Sequence, residues 1–475
     1  MLSYFKFPKF FYSLGSLEFG WMFSYYGMKA ILLLYMIYAV TQGGLGIEKS
    51  AAASIVAIYG SLTFMLGVIG SYVTDRILGP YYANLYGSII VILGHVALGF
   101  LQGIAGLFIG LGLVLIGTGM SKGVKVIIGH AFEGKDNKRD AAFQIFYLIA
   151  NIGSFISPLI VGWLGMSYNF HWGFTVAAIG MFIGFLIFVL TEKRHFNEKS
   201  FRPLDKIQSH ELKDLIKNVA LFLVFIFSVL LVMYLFNLLT VDNIILVTTI
   251  FISGILPISL FYSILSSKKI TKKERSKVVI FIPLFLSSLI FWIMAEQIPI
   301  ILTLFAQNNV NLLGMPLHWL QSFNPLFIII LMPFFVYLWE KLGDKNPSTP
   351  KKFFYGLLIT GLAYIILSIP QLILGLSSNI NVVWLIFTIF LIAIGEALIS
   401  PLADSISYVL SPELYKARMM FLVGLTNASA QALNSQIVKF FNNDSHYFLI
   451  LACLPILTAI TLFYLLNKIE NVMES

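Results

Sequence analysis

Charge is scarce in this chain: 11% of its 475 residues are Asp, Glu, Lys or Arg, while 59% are hydrophobic. A soluble globular domain carries about 25% charged residues. A water-facing surface of this size is therefore excluded, and lipid must be the solvent for most of the exterior. Cysteine is scarcer still. The single Cys453 excludes an internal disulfide and any thiolate metal cluster. The chain has no His-Glu-x-x-His zinc site, and no enzyme, metal or cofactor is expected. It also has no soluble stretch long enough to act as a signalling domain, which argues against a receptor.

What is present is a series of long apolar runs. A transmembrane helix needs about 20 mostly apolar residues. Such runs occur near 16–41, 50–73, 82–103, 106–129, 141–164, 172–191, 217–238, 243–266, 278–305, 317–341, 352–374, 381–409, 417–441 and 446–468. They are too long and too uniform for barrel strands, which are about ten residues long and alternate. The expected fold class is an all-α membrane protein with about fourteen spans. The basic start of the chain (Lys6, Lys9) runs into the first apolar segment without a small-residue cleavage site, so that segment reads as a retained helix.

The net charge of +9 sits in short loops and not on one face, so it is a topology signal with no nucleic-acid partner implied. Lys193, Arg194, Lys199, Arg202, Lys206 and Lys213 fill one loop; Lys268, Lys269, Lys272, Lys273, Arg275 and Lys277 fill another. Lys135, Lys138 and Arg139 mark a third, and Lys341, Lys345, Lys351 and Lys352 a fourth. All fall on the side of the N-terminus, whereas the other side holds Lys49 and Lys439. This bias predicts a bacterial inner-membrane protein with both termini cytoplasmic. The polar stretch 192–216 divides the chain into 1–191, six helices; 192–277, linkers with an inserted helix pair facing lipid; and 278–475, six more helices. Six, two and six is the pattern of two repeated halves. Between the second and third helices, Gly70, Asp75, Arg76 and Gly79 form a tight charged turn, and Glu340, Lys341, Gly343, Asp344 and Lys352 take the matching place in the second half. Such turns would pin neighbouring helix ends and release them when the halves rock.

Each charge at a helix centre costs about 2.5–3.5 kcal/mol on insertion scales, so charges that persist there usually face a wet cavity. Lys29, Lys122, Glu296 and Glu396 lie well inside apolar runs. Counted from residue 16 at about 1.5 Å per residue, Lys29 lies about 20 Å deep, near the midplane, and Glu396 reaches a similar depth from the other face. A cation from one half facing an anion from the other suits a small zwitterion, and a dipeptide spans about 7 Å. The plainer alternatives are an Lys29–Glu396 structural pair, snorkelling of Lys122, and solvation of Glu18 near the helix end. Tyr25, Tyr26, Asn151, Asn324 and Ser400 lie on the same or adjoining helices. Pro158, Pro325 and Pro401 would break helices at that depth and free carbonyls.

Seven segments occur in order over residues 10 to 468. EFGWMFSYYGMK (18–29), GSYVTDRILG (70–79), GTGMSK (117–122), FYLIANIGS (146–154), FWIMAEQ (291–297), QSFNPLF (321–327) and GEALISP (395–401) together resemble the signatures of the proton-dependent oligopeptide transporters, in the major facilitator superfamily. The resemblance implies two six-helix bundles with an inserted pair and proton-driven uptake of di- and tripeptides by alternating access. It implies that Lys29 holds the peptide carboxylate, Glu396 the amine, and Asn151 and Asn324 the peptide backbone. Tyr25 and Tyr26 match the paired tyrosines, and Lys122 and Glu296 match residues of proton coupling and gating, to which Glu18 is joined. The expected partners are a peptide or amino-acid-like small molecule, protons and the bilayer, with the chain acting as a monomer. The pattern E-x-x-E-R is broken: Glu18 stands, but Trp21 and Met22 replace its acid and arginine. Phe64 occupies a tyrosine position, and Gly123 and Val124 follow Lys122. These changes remove a proton-binding acid and a carboxylate-facing cation. They leave open a facilitator or exporter of another amino-acid-like metabolite without proton coupling.

Overall fold

The computed structural model describes residues 7–120, 124, 127–128, 136–191, 193, 196, 198–203, 206–375, 379–441 and 445–474. Long helices occupy almost all of it: α1 Lys9–Ile37, α2 Lys49–Val73, α3 Pro80–Phe100, α4 Gly103–Met120, α5 Asp136–Ser167, α6 Phe170–Leu190 and α7 Ser209–Leu235. α8 is the span Val241–Leu265 and α9 the span Lys272–Asn309, each interrupted by a π-turn. α10 Leu320–Leu342, α11 Thr349–Leu374, α12 Val382–Leu410, α13 Lys416–Ile437 and α14 Ser445–Glu474 follow. Two short strands, Val310–Asn311 and Ile380–Asn381, pair in parallel between the α9 and α12 ends.

Among the described residues, eleven helical segments are long and apolar enough to cross a membrane. α1, α7 and α13 fall outside that set although they run 29, 27 and 22 residues. Polar content explains each case. α1 holds Lys9, Glu18 and Lys29, the first turns of α7 read HELKDLIK, and α13 holds Thr426, Asn427, Gln431 and Asn434. Two of the three, α1 and α13, line the interior cavity described below.

Local chemistry sets the helix ends. Thr271 accepts from the Glu274 backbone N–H at 3.2 Å, and Glu274 accepts from the Thr271 N–H at 2.8 Å, a reciprocal cap for α9. Asn169 caps α6 by accepting from Trp172 N–H at 2.9 Å. The corner from α2 to α3 uses Gly79 at φ 80°, a left-handed conformation that glycine enters without strain, followed by Pro80 in the first turn.

The packing repeats. α1 packs on α5 and α6, as α9 packs on α13 and α14. α3 packs on α4 and α6, as α11 packs on α12 and α14; α2 packs on α4, as α10 packs on α12. Small residues let these backbones approach: a Cβ on Gly20 would press on the backbone of Gly180 and Gly184, and one on Gly356 would press on Ile399 and the Gly395 carbonyl. The two sets meet along two equivalent seams, α2 against α13 and α5 against α10.

The inserted pair differs in its two members. α7 is studded with exposed apolar residues such as Val224, Phe225, Phe227, Leu231 and Tyr234. α8 lies on α13, where Thr249 donates to the Ala432 carbonyl at 3.1 Å and Ser429 donates to the Ile252 carbonyl at 3.1 Å.

Three expectations change. The first helix begins at Lys9 and not near 16, so Lys29 stands about 30 Å from its first residue. The early turns are held by protein and not by lipid: Phe11 packs on Phe146 at 5.5 Å between ring centroids, and Phe10 on Phe196 at 6.0 Å. Pro158, Pro325 and Pro401 do not break their helices; each lies inside continuous α5, α10 or α12. The break occurs in α9 instead. The α-helix ends at Ala295, Glu296 caps it, and a π-turn runs over Ile298–Leu302 with Pro299 inside. Pro299 has no N–H to offer the carbonyl one turn back. Side chains from neighbouring helices take up nearby carbonyls: Tyr364 donates to Met294 at 2.7 Å and Asn434 donates to Ile293 at 3.0 Å.

Candidate functional site

The α9 break points Glu296 at the centre of the molecule. Its Oε2 accepts from Lys29 Nζ at 2.9 Å, and its Oε1 accepts from Asn427 Nδ2 at 3.3 Å. The Lys29 and Glu296 side chains are 10% and 14% exposed, so this ion pair between α1 and α9 is largely dry. A cavity of about 270 Å³ opens beside it. Tyr25, Tyr26 and Lys29 line it from α1, Phe64 from α2, Trp292 and Glu296 from α9, and Gln321 and Asn324 from α10. Glu396, Ser400 and Asp404 line it from α12, and Asn427 from α13. Glu396, Ser400 and Asp404 are four residues apart, so they share one face of α12. Glu396 Oε2 accepts from Asn324 Nδ2 at 3.1 Å, which orients the carboxylate from the neighbouring helix. The Tyr25 and Tyr26 rings meet edge to face at 5.4 Å.

The cavity has a closed side. Ser54 donates to the Ser435 carbonyl at 2.8 Å, and Gly60 lies against the Gln431 side chain, on the α2–α13 seam. Ser322 donates to the Phe155 carbonyl at 2.8 Å, and Gly162 lies against the His318 ring, on the α5–α10 seam. Ser54, Ser435, Gly162 and His318 sit near the helix ends opposite the chain's N-terminus. The lining residues Tyr25, Phe64, Asn324, Ser400 and Asn427 all lie on the N-terminal side of these contacts. The halves are therefore sealed on one face, and the cavity lies on the other side of the seal.

Lys29 and Glu396 line one cavity, as charge placement suggested, but Lys29 does not stand free opposite it. Its ammonium is held by Glu296, because the α9 break brings that carboxylate to the α1 face. Asn151 is not among the cavity-lining residues; its amide donates to the Tyr147 carbonyl one turn back on α5. Glu18, in the third turn of α1, is also absent from the lining residues. Lys122 lies outside the described residues. Gly70 fits against the Gly119 carbonyl, where a Cβ would overlap it, so α2 and α4 touch backbone to backbone. Arg76 donates to Glu211 at 2.6 Å, and its carbonyl accepts from Ile207 N–H at 3.0 Å. The turn thus ties α2 to the inserted α7, whereas the sequence suggested a tie within its own half. Asp75 occupies the π-turn Thr74–Leu78 that ends α2.

Sequence reading missed Trp292, Gln321, Asp404, Asn427 and Gln431. One signal was available: Asn427 and Gln431 repeat at a spacing of four within a membrane-length run, which puts them on one polar stripe.

A cavity between two repeated six-helix halves, sealed on one face and carrying charges at its centre, defines a membrane transporter of the major facilitator type. The family model described as "POT family" matches residues 81–451, and the chain belongs to that family. It is similar to the di-/tripeptide transporter of Lactococcus lactis subsp. cremoris, 36% identical over 99% of this chain and 97% of the relative. It is 30% identical to a peptide transporter of Yersinia enterocolitica over 84% of this chain and 81% of the relative. Among solved structures, a peptide transporter POT in complex with sulfate superposes with a TM-score of 0.94 at 37% identity, covering 98% of this chain and 96% of that one. A POT family transporter in complex with 5-aminolevulinic acid superposes with a TM-score of 0.91 at 34% identity, covering 97% of each chain.

Proposed function

We propose that the chain is a secondary active transporter of di- and tripeptides or related small zwitterions, working by alternating access and driven by protons. The observation that carries this reading is the ion pair at the top of the cavity. Among the described lining residues, Lys29 is the one cation, beside Glu296, Glu396 and Asp404, and Glu296 holds it. A substrate carboxylate competes with Glu296 for Lys29. A proton on Glu296 is the simplest way to release it, since stripping one partner from a buried pair otherwise costs about 3–5 kcal/mol. Proton and carboxylate then arrive together, which is symport.

Glu396, oriented by Asn324, receives the substrate amine, and Tyr25, Tyr26, Asn324 and Ser400 line the path between the two charged ends. Asn151 contributes only if α5 shifts relative to α10. Glu18 and Lys122 serve proton transfer and gating with Glu296. The turn Gly70, Asp75, Arg76 and Gly79 flexes as the halves rock. The units are 1–191, 192–277 and 278–475. The chain lies in a bacterial inner membrane as a monomer with both termini cytoplasmic, as the basic loops favour, and the closed face is then external. A second reading, facilitated flux without protons, is favoured by Trp21 and Met22, which leave no acid or arginine at those positions.

Proteoliposomes test both. Labelled dialanine should accumulate under an inward proton gradient and only equilibrate after an uncoupler. Equal flux in both conditions would select the uncoupled reading, and no flux of any peptide would overturn peptide transport.

A further inference from the structure

Beyond the cavity, a line of buried amides leaves Glu296 and ends at the seam. Asn427 donates to Glu296 Oε1 at 3.3 Å, and Gln431 Nε2 donates to Asn427 Oδ1 at 2.6 Å. The Gln431 Oε1 then rests against Gly60 of α2, in the space a side chain there would need. Asn427 and Gln431 are 6% and 2% exposed, so the line is largely shielded from water.

Its polarity is set from one end. A carboxylate only accepts, so Asn427 must turn its NH2 to Glu296 and its carbonyl to Gln431. Gln431 must then turn its NH2 to Asn427 and its carbonyl to the Gly60 backbone, where a Cα–H can meet an oxygen but not an amide hydrogen. A proton on Oε1 of Glu296 turns that oxygen into a donor toward Asn427, and the favoured direction then reverses at every step. The Gln431 NH2 then faces Gly60 with nothing there to accept it. The charged groups near Glu296 are Lys29 from α1 and Glu396 from α12, with Tyr25 and Tyr26 beside Lys29. From α13 it meets the uncharged Asn427.

We propose that Asn427 and Gln431 are positioning residues that carry the protonation state of Glu296 to the α2–α13 seam, so that neutralising the central carboxylate loosens the closed face. This rests on the reading of Lys29–Glu296 as the central latch. It makes Gly60 the receiving point: the seam accepts a carbonyl there because α2 offers bare backbone.

The test uses full-length protein with Cys453→Ser and a reporter cysteine from Ala57→Cys, a fully buried position on α2 one turn from Gly60. The readout is the rate of maleimide alkylation. Glu296→Gln, which imitates the protonated carboxylate, should raise that rate at least about fivefold, the lower end of typical coupling between sites. In an Asn427→Leu background, and separately in Gln431→Leu, the rise should vanish. If Glu296→Gln gives no rise, the latch itself fails and the relay with it. If the rise persists in full in either Leu background, the relay is overturned and the latch stands. Because two variants interrupt the line at different points, poor folding of one leaves the other to decide, and a monodisperse elution profile in detergent confirms that each is folded.

Discussion

Glu396 is the carboxylate proposed to receive the substrate amine. It is fixed by a single bond from Asn324 on the neighbouring helix and otherwise opens on the cavity. A hydrogen bond to a charged group is worth about 1.5–3 kcal/mol. Glu396→Gln should therefore weaken peptides with a free amine about tenfold or more, while N-blocked peptides change little. Competition against labelled dipeptide uptake measures both, and equal losses would remove the amine role. The same scale explains what the sequence concealed. Lys29 and Glu396 were legible as intramembrane charges, but the partner of Lys29 was not. Choosing between Glu296 and Glu396 depends on where α9 breaks, and Pro158, Pro325 and Pro401 all advertised breaks that their helices do not make.

At the scale of the element, α9 is the unusual helix. Its interruption leaves carbonyls inside a hydrocarbon-like interior, where an unsatisfied polar group is costly. Tyr364 from α11 and Asn434 from α13 satisfy two of them, and Gln297 is held in turn by donating to Asn434 at 2.8 Å and accepting from Tyr447 at 3.2 Å. The break is thus a built feature shared among four helices. Tyr364→Phe keeps the ring, which is fully buried, and removes only the hydroxyl. It should destabilise the protein by about 0.5–1.5 kcal/mol, the net worth of one hydrogen bond, because the Gln297 N–H still reaches the Met294 carbonyl at 3.1 Å; the readout is a lower melting temperature in detergent. An unchanged melting temperature would show that the backbone bond from Gln297 is enough to hold the break. α13 shows the converse: it is rich in polar side chains for a spanning helix, and that stripe faces protein and not lipid.

For the whole molecule, transport requires the two seams to close and reopen. The α5–α10 seam depends on bare backbone at Gly162, where a Cβ would overlap the His318 ring. Gly162→Val should wedge that face open and lower the maximal uptake rate severely, whereas Gly112→Val, with open space around it, should leave uptake unchanged. Uptake kinetics on matched amounts of protein compare them, and equal rates would mean that the seam need not close fully. The inserted pair spans the same rocking body. α7 is tied to the α2–α3 turn through Arg76 and Glu211, while α8 lies on α13 of the other half. An ion pair this exposed contributes about 0–1 kcal/mol, so the tie orients α7 more than it stabilises the fold.

The sequence by itself determined the solvent, the all-helical class, the number of long helices and the presence of charges that lipid would reject. These follow from composition and run length, which are local and additive. Only the tertiary structure decided which charge meets which, that α9 breaks and the proline-bearing α5, α10 and α12 do not, and that Asn427 and Gln431 connect the centre to a seam. Those outcomes depend on side chains from helices far apart in sequence satisfying one another in a dry interior. No local pattern encodes that agreement.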